Sequence, residues 1–124
     1  MTAEETVNAF IAACERVDLD AAVALLADDI RYENVGMNVI EGAAATRQFL
    51  EPFLGGCDEV IWEVHHQVAD DRVVMNERTD RFRKGDASIG IHLMGVFVVE
   101  DGKITEWRDF FDVAAAGAQL AALG

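Results

Sequence analysis

The segment Asn76-Glu77-Arg78-Thr79-Asp80-Arg81-Phe82 reads as a β-strand, whose side chains alternate between two faces. Met75, Glu77, Thr79, Arg81 and Arg83 make a face suited to water. Val74, Asn76, Arg78, Asp80 and Phe82 make the more apolar face, yet that face carries a charged pair. Buried charge is costly unless paired and hydrogen-bonded. Arg78 and Asp80 are therefore expected to point into a pocket and do chemistry there. Two more stretches repeat the pattern. Tyr32 and Asn34 share a strand face with Ile30, and Asp109 shares one with Trp107, Phe111 and Val113. If these strands lie in one curved sheet, the polar groups converge.

Two carboxyl groups with an arginine between them need not ionise alike. Burial raises an acid's pKa and an adjacent cation lowers it. One aspartate can then act as a general acid and the other as a general base. The acid needs a pKa roughly three units above the ordinary ~3.9 to hold its proton near neutrality. Arg78, permanently charged and fork-shaped, can hydrogen-bond both. Tyr32 and Asn34 offer a hydroxyl and an amide that, with the basic aspartate, can hold one water molecule. The implied reaction is addition of water with protonation of a leaving oxygen.

The elements that must position these groups are legible in outline. Thr2-Ala3-Glu4-Glu5 is a capping-box pattern, followed by Val7, Phe10, Ile11 and Cys14 at helical spacing, so a helix is expected to about Arg16. Asp18 is expected to cap a second helix ending near Asp28. A short strand is expected over 30–35, broken by Gly36. Residues 37–41 are expected to form a loop whose Met37, Val39 and Ile40 rim a pocket. Gly42 precedes a third helix with Phe49, Leu50 and Phe53 inward, a kink or short second turn near Pro52, and a stop at Gly55-Gly56.

From Cys57 the pattern is β. Val60, Trp62, Val64, His66 and Val68 are expected on one face of a long strand, and Asp70-Asp71 marks a hairpin. The Arg78 strand comes next and turns at Lys84-Gly85-Asp86. Ser88 to Val99 is apolar on both faces, which predicts a central strand covered on both sides. Asp101-Gly102 is a hairpin signal. The last strand ends at Asp112, which can cap an Ala-rich helix. Helices first and a meandering sheet after them predict one α+β domain over 1–124, with helices on one sheet face.

Composition narrows the function classes. With 52% hydrophobic and 27% charged residues, the chain fits a folded globular domain and not a disordered one. Its 23 acidic and 10 basic residues give a formal net charge of −13, which disfavours nucleic acid and anionic membrane surfaces as partners. No signal peptide and no apolar run of ~18 residues is seen, so a cytoplasmic protein without membrane insertion is expected. Cys14 and Cys57 have no metal or CxxC spacing and read as free thiols. His65 and His66 are neighbours on a strand and should face opposite ways. With only His92 besides, and no HExxH, no metal is expected. His66 and His92 read as core histidines. Nothing resembles a phosphate loop, so no nucleotide cofactor is expected.

Tyr32-x-Asn34, Arg78-x-Asp80 and the Asp109 of Trp107-Arg108-Asp109-Phe110-Phe111-Asp112 together resemble, in order and spacing, the limonene-1,2-epoxide hydrolase family. The resemblance spans most of the chain. It implies a cone-shaped α+β fold of the nuclear-transport-factor-2-like kind: a strongly curved, mostly antiparallel sheet wrapped by helices around a deep pocket. It also implies one-step hydrolysis of a lipophilic epoxide to a vicinal diol. Asp109 would activate the water held by Tyr32 and Asn34, Asp80 would protonate the epoxide oxygen, and Arg78 would bridge the two acids. No metal and no covalent ester is implied, and a homodimer is usual. Two rivals remain. One is another enzyme on the same scaffold, such as an isomerase, dehydratase or polyketide cyclase, which does not ordinarily need an Asp–Arg–Asp bridge. The other is a non-catalytic binder of lipophilic small molecules, which needs the pocket alone.

Overall fold

Residues 1–124 are described by a computed structural model. Helix α1 (Ala3–Glu15) begins at the expected capping box. Thr2 Oγ1 accepts from the Glu5 amide at 3.1 Å, and Glu5 Oε1 accepts from the Thr2 amide at 2.9 Å. Its buried face carries Val7, Phe10, Ile11 and Cys14. Helix α2 (Leu19–Val23) is capped by Asp18 but stops five residues short of the expected Asp28. The sheet takes up the chain from Leu25 onward. The Leu25 carbonyl accepts from the Ile104 amide at 2.8 Å, and Leu26 pairs with Ile104.

Strand β1 (Leu26–Asn34) therefore starts earlier than expected. The segment expected to be a loop contains an edge strand, β2 (Asn38–Glu41), which pairs antiparallel with β1 after a turn through Gly36. Gly36 has φ 88°, a left-handed value that favours glycine. Met37 lines the central cavity, whereas Val39 and Ile40 belong to this edge strand and not to the cavity wall. Helix α3 (Ala43–Gly55) runs through Pro52 without ending there. Pro52 lies in the last turn, so only its own missing amide bond is lost from the ladder.

Strands β3 (Glu59–Ala69), β4 (Val73–Lys84), β5 (Ala87–Glu100) and β6 (Lys103–Phe110) come next, then helix α4 (Val113–Leu123) capped by Asp112. Asp101 and Gly102 both have positive φ, as the tight hairpin between β5 and β6 requires. The six strands form one sheet in the order β2-β1-β6-β5-β4-β3. Every pairing is antiparallel except β1 with β6. Register shifts in β1, β3 and β5 mark bulges, each of which bends its strand. Helix α1 packs across β3 to β6, α3 against β1 and β2, and α4 along β5. The core fills the space between sheet and helices. No helix is long and apolar enough to cross a membrane.

Two expectations for the sheet fail. Strand β5 is interior to the sheet, but the middle of its outer face is not covered within the chain. His92 and Met94 on the outer face are exposed, because the helices pack on the opposite side. The second failure lies in β3. Up to Val64 its inward residues oppose Phe82, Asp80 and Arg78 as the alternation demands. A bulge between Val64 and His66 then moves the register by one residue, so that His66 opposes Glu77, Gln67 opposes Asn76 and Val68 opposes Met75. His66 and Val68 thereby leave the inner face and Gln67 enters it.

The histidines are therefore surface groups and not core groups. His66 and His92 side chains are 84% and 67% exposed. Both bind Glu77, at 2.9 and 2.6 Å, and hold its carboxyl below the usual range. His65 contacts Thr79 Oγ1 at 2.8 Å, on the same outer face as His66 and not the opposite one.

Candidate active site

The sheet register brings the five expected residues together. Parallel pairing of β1 with β6 sets Tyr32 beside Trp107 and Asn34 beside Asp109. Antiparallel pairing sets Asp109 beside Gly95, Gly95 beside Asn76, and Asn76 beside Gln67. One row of inward positions thus runs Asn34–Asp109–Gly95–Asn76–Gln67 across five strands. Arg78 and Asp80 lie one and two inward positions further along β4. Asn34, Arg78, Asp80 and Asp109 are all buried.

Arg78, with no exposed side-chain surface, is the hub. Its Nε and Nη2 donate to Asp80 Oδ1 and Oδ2 at 3.0 and 3.1 Å, a bidentate fork. Nη2 also reaches both oxygens of Asp109 at 3.3 Å. Nη1 donates to Asn76 Oδ1 at 2.7 Å. The guanidinium lies over the rings of Trp62 (5.2 Å) and Phe97 (5.7 Å), so aromatic faces assist the carboxylates in holding a buried cation. Trp62 Nε1 is buried with no protein hydrogen-bond partner, and the ring makes tilted aromatic contacts with Phe10 and Trp107.

Gly95 makes room for this arrangement. A Cβ at Gly95 would run into Arg78 Nη1 and stand 2.8 Å from Asn76 Oδ1 and 3.1 Å from Asp109 Oδ1. A glycine inside an otherwise apolar strand was the available signal for a close approach of this kind. Sequence reasoning also missed two contacts made by recognised residues. Alternation puts Asn76 on the inward face without showing that its Oδ1 accepts from Arg78, and Trp107 donates its Nε1–H to Asp109 Oδ1 at 2.9 Å.

Tyr32 stacks on Trp107 with ring centroids 3.8 Å apart, and its hydroxyl donates to Asn34 Oδ1 at 3.2 Å. Asn34 Nδ2 donates to Asn38 Oδ1 at 3.1 Å. Burial, and secondarily the Asp109 charge, push the Tyr32 hydroxyl well above its ordinary range, so it stays a neutral donor. These groups open on a cavity of about 130 Å³. Its walls are otherwise apolar, with Phe49, Leu50 and Phe53 from α3, Phe82, Ile91 and Leu93 from the sheet, and Leu120 from α4. No group of three or more His, Cys, Asp or Glu side chains is placed to hold a metal ion.

The electrostatics are set by burial. Desolvation raises both acids, and Arg78 opposes the rise in each. Asp80 is pushed up to about 6, with the charges of Asp109 and Glu15 adding to the rise. Asp109 is also raised, but the Trp107 donor favours its ionised form. With one cation and two carboxyls, the buried group is neutral overall when one proton is shared between the acids.

This sets a sign for stability. The folded state holds the Asp80 proton more tightly than the unfolded chain, so its stabilisation is complete below about pH 4 and is lost as pH rises through about 6. Asp80→Asn mimics the protonated acid at every pH. Its stability relative to wild type should improve by up to about 3 kcal/mol between pH 4 and 8, read from urea midpoints. A difference that does not change with pH would contradict the raised pKa.

Residues 1–121 match the family model described as the limonene-1,2-epoxide hydrolase catalytic domain. The chain is 40% identical over 107 residues to epoxide hydrolase EphG of Mycobacterium tuberculosis, covering 86% of this chain and 71% of that protein. A solved M. tuberculosis LEH-like epoxide hydrolase superposes with a TM-score of 0.83 at 37% identity, over 96% of this chain and 89% of that one. A SnoaL-like polyketide cyclase fold from Shewanella putrefaciens superposes with a TM-score of 0.82 at 16% identity, over 95% of each chain, which shows shared architecture alone. Family match, relative and register of the buried acids converge: the chain belongs to the limonene-1,2-epoxide hydrolase family.

Proposed function

We propose that this protein adds water to a lipophilic epoxide in one step to give a vicinal diol, with Asp80, Arg78 and Asp109 as an acid–bridge–base unit. The observation that carries the reading is a single buried guanidinium bonded to two buried carboxyls at one end of an apolar cavity. A binder of lipophilic molecules needs the apolar walls but gains nothing from burying three ionisable groups. An isomerase or cyclase on this fold needs an acid or base, but not two acids sharing one arginine.

In this reading ionised Asp109 accepts a proton from a water that Asn34 and Tyr32 help to hold. The water oxygen forms a bond to an epoxide carbon as the C–O bond breaks, and Asp80 gives its proton to the departing oxygen. Arg78, bonded to both acids, stabilises whichever carboxylate is ionised as the proton inventory reverses, which a point-charge ammonium could not do in one plane. Acid and base catalysis contribute about 10²–10⁴-fold each. A panel of lipophilic epoxides tests the activity by diol formation. The pH profile tests the roles: kcat/KM should fall on the alkaline side with an apparent pKa near 6, as Asp80 loses its proton. Absence of diol across the panel, or activity that rises steadily to pH 9, would overturn the reading.

A homodimer belongs to the same proposal. Met75, Met94 and Phe110 stand exposed on the outer sheet face, where a second copy could cover them. Sedimentation at micromolar concentration should give twice the 13.6 kDa chain mass; a monomer mass would contradict it.

A further inference from the structure

We infer that Gln67 and Asn76 are positioning residues that lock the Arg78 guanidinium between Asp80 and Asp109, and that the bulge at His65 exists in this fold to deliver Gln67 to that task. The inference rests on the reading of Arg78 as the bridge between acid and base.

The guanidinium has two edges. The Nε–Nη2 edge is taken up by the two aspartates, and Nη1 points away from them toward Asn76 Oδ1. Asn76 is almost fully buried, so an amide flipped the other way would aim two N–H donors at a cation. What prevents the flip is Gln67. Its Oε1 accepts from Asn76 Nδ2 at 3.1 Å, which turns Asn76 Oδ1 toward Arg78. The Gln67 amide is oriented in turn, because its Nε2 donates to Glu4 Oε2 at 3.0 Å and Asn8 Oδ1 at 2.9 Å on α1. A directed chain of hydrogen bonds therefore runs from the polar side of α1 to the centre of the site. Each member has one orientation that satisfies its neighbours.

The bulge makes the chain possible. With unbroken alternation, Val64, His66 and Val68 would face inward and Gln67 would face solvent. The register shift between Val64 and His66 reverses that parity and sets Gln67 directly opposite Asn76. Asn76 is also a neutral acceptor. It satisfies Nη1 without competing for the positive charge, so that charge remains divided between Asp80 and Asp109.

The test uses Gln67→Leu, which removes the acceptor that orients Asn76, and Gln67→Glu combined with Glu4→Gln, which restores that acceptor and reverses the donor and acceptor in the 3.0 Å contact to α1. Gln67 is part-exposed, and neither variant alters the residues placed in the catalytic unit. The groups facing the acids are Arg78 itself, Cys14 and Glu15 of α1, and Tyr32 of β1, none of which is changed. Gln67→Leu should lower kcat by about 10–100-fold with KM little changed, because the acids lose their fixed geometry. Both limbs of its pH profile should move to higher pH as Arg78 loosens, and the Gln67→Glu, Glu4→Gln double variant should recover most of the loss. Independently of activity, the ¹⁵N-edited NMR signals of the Arg78 Nη protons should be resolved in wild type and broadened in Gln67→Leu. Unchanged guanidinium signals and an unchanged pH profile, with only a lower Tm, would overturn the inference. If wild type hydrolyses no epoxide, the functional reading fails, and broadened signals would still uphold the relay.

Discussion

Asp109→Asn should reduce epoxide turnover by about 10²–10⁴-fold while leaving the fold and KM nearly intact. The amide has the shape of the carboxylate and can keep the hydrogen bond from Trp107 Nε1, which now stands at 2.9 Å. It can still accept from Arg78 through its oxygen. What it cannot do is take a proton from water. The loss should therefore appear in kcat, and added small carboxylates should recover little, since the cavity of about 130 Å³ is lined by apolar side chains around its polar end. Steady-state kinetics of purified Asp109→Asn check this. Activity within threefold of wild type would remove Asp109 from the base role and leave its burial beside Arg78 as structure alone.

The second large effect is on stability. Arg78→Leu should destabilise the protein by about 3–5 kcal/mol at pH 8, since it leaves two buried carboxyls without their cation and orphans the acceptor of Asn76. The penalty should shrink at pH 5, where both acids, already raised by burial, take up protons in the absence of the arginine. Urea unfolding at the two pH values measures the difference. Arg78→Lys separates charge from geometry. It retains a cation, and so much of the stability, but an ammonium cannot serve two carboxyls in one plane, and turnover should remain crippled. A loss of less than 1 kcal/mol for Arg78→Leu at pH 8 would mean that the acids do not depend on the arginine.

Local patterns were legible in the sequence, and partners far along the chain were not. The alternation in β4 is unbroken, and every inward position from Val74 to Phe82 is buried as that alternation demands. The capping box at Thr2 and the turn at Asp101-Gly102 are local devices, which is why they can be read from a few residues. What could not be read depends on partners far along the chain. Leu25 and Leu26 have helical spacing, but β6, nearly 80 residues later, takes them into the sheet. The bulge in β3 has no fixed local signature, and a single inserted residue turned His66 and Val68 outward. The same slip hid Gln67, which reads as a solvent-facing residue until its register partner is known. Gly95 carried a signal that only Arg78, from the neighbouring strand, makes interpretable.

In the proposed mechanism water, and not an enzyme carboxylate, attacks the epoxide carbon. A single turnover in ¹⁸O-labelled water, with enzyme in excess over a lipophilic epoxide, tests it most directly. Direct attack by water gives diol carrying one ¹⁸O from the first turnover. Unlabelled diol in that turnover, with label appearing in the protein at Asp109 or Asp80, would show an ester intermediate and contradict it.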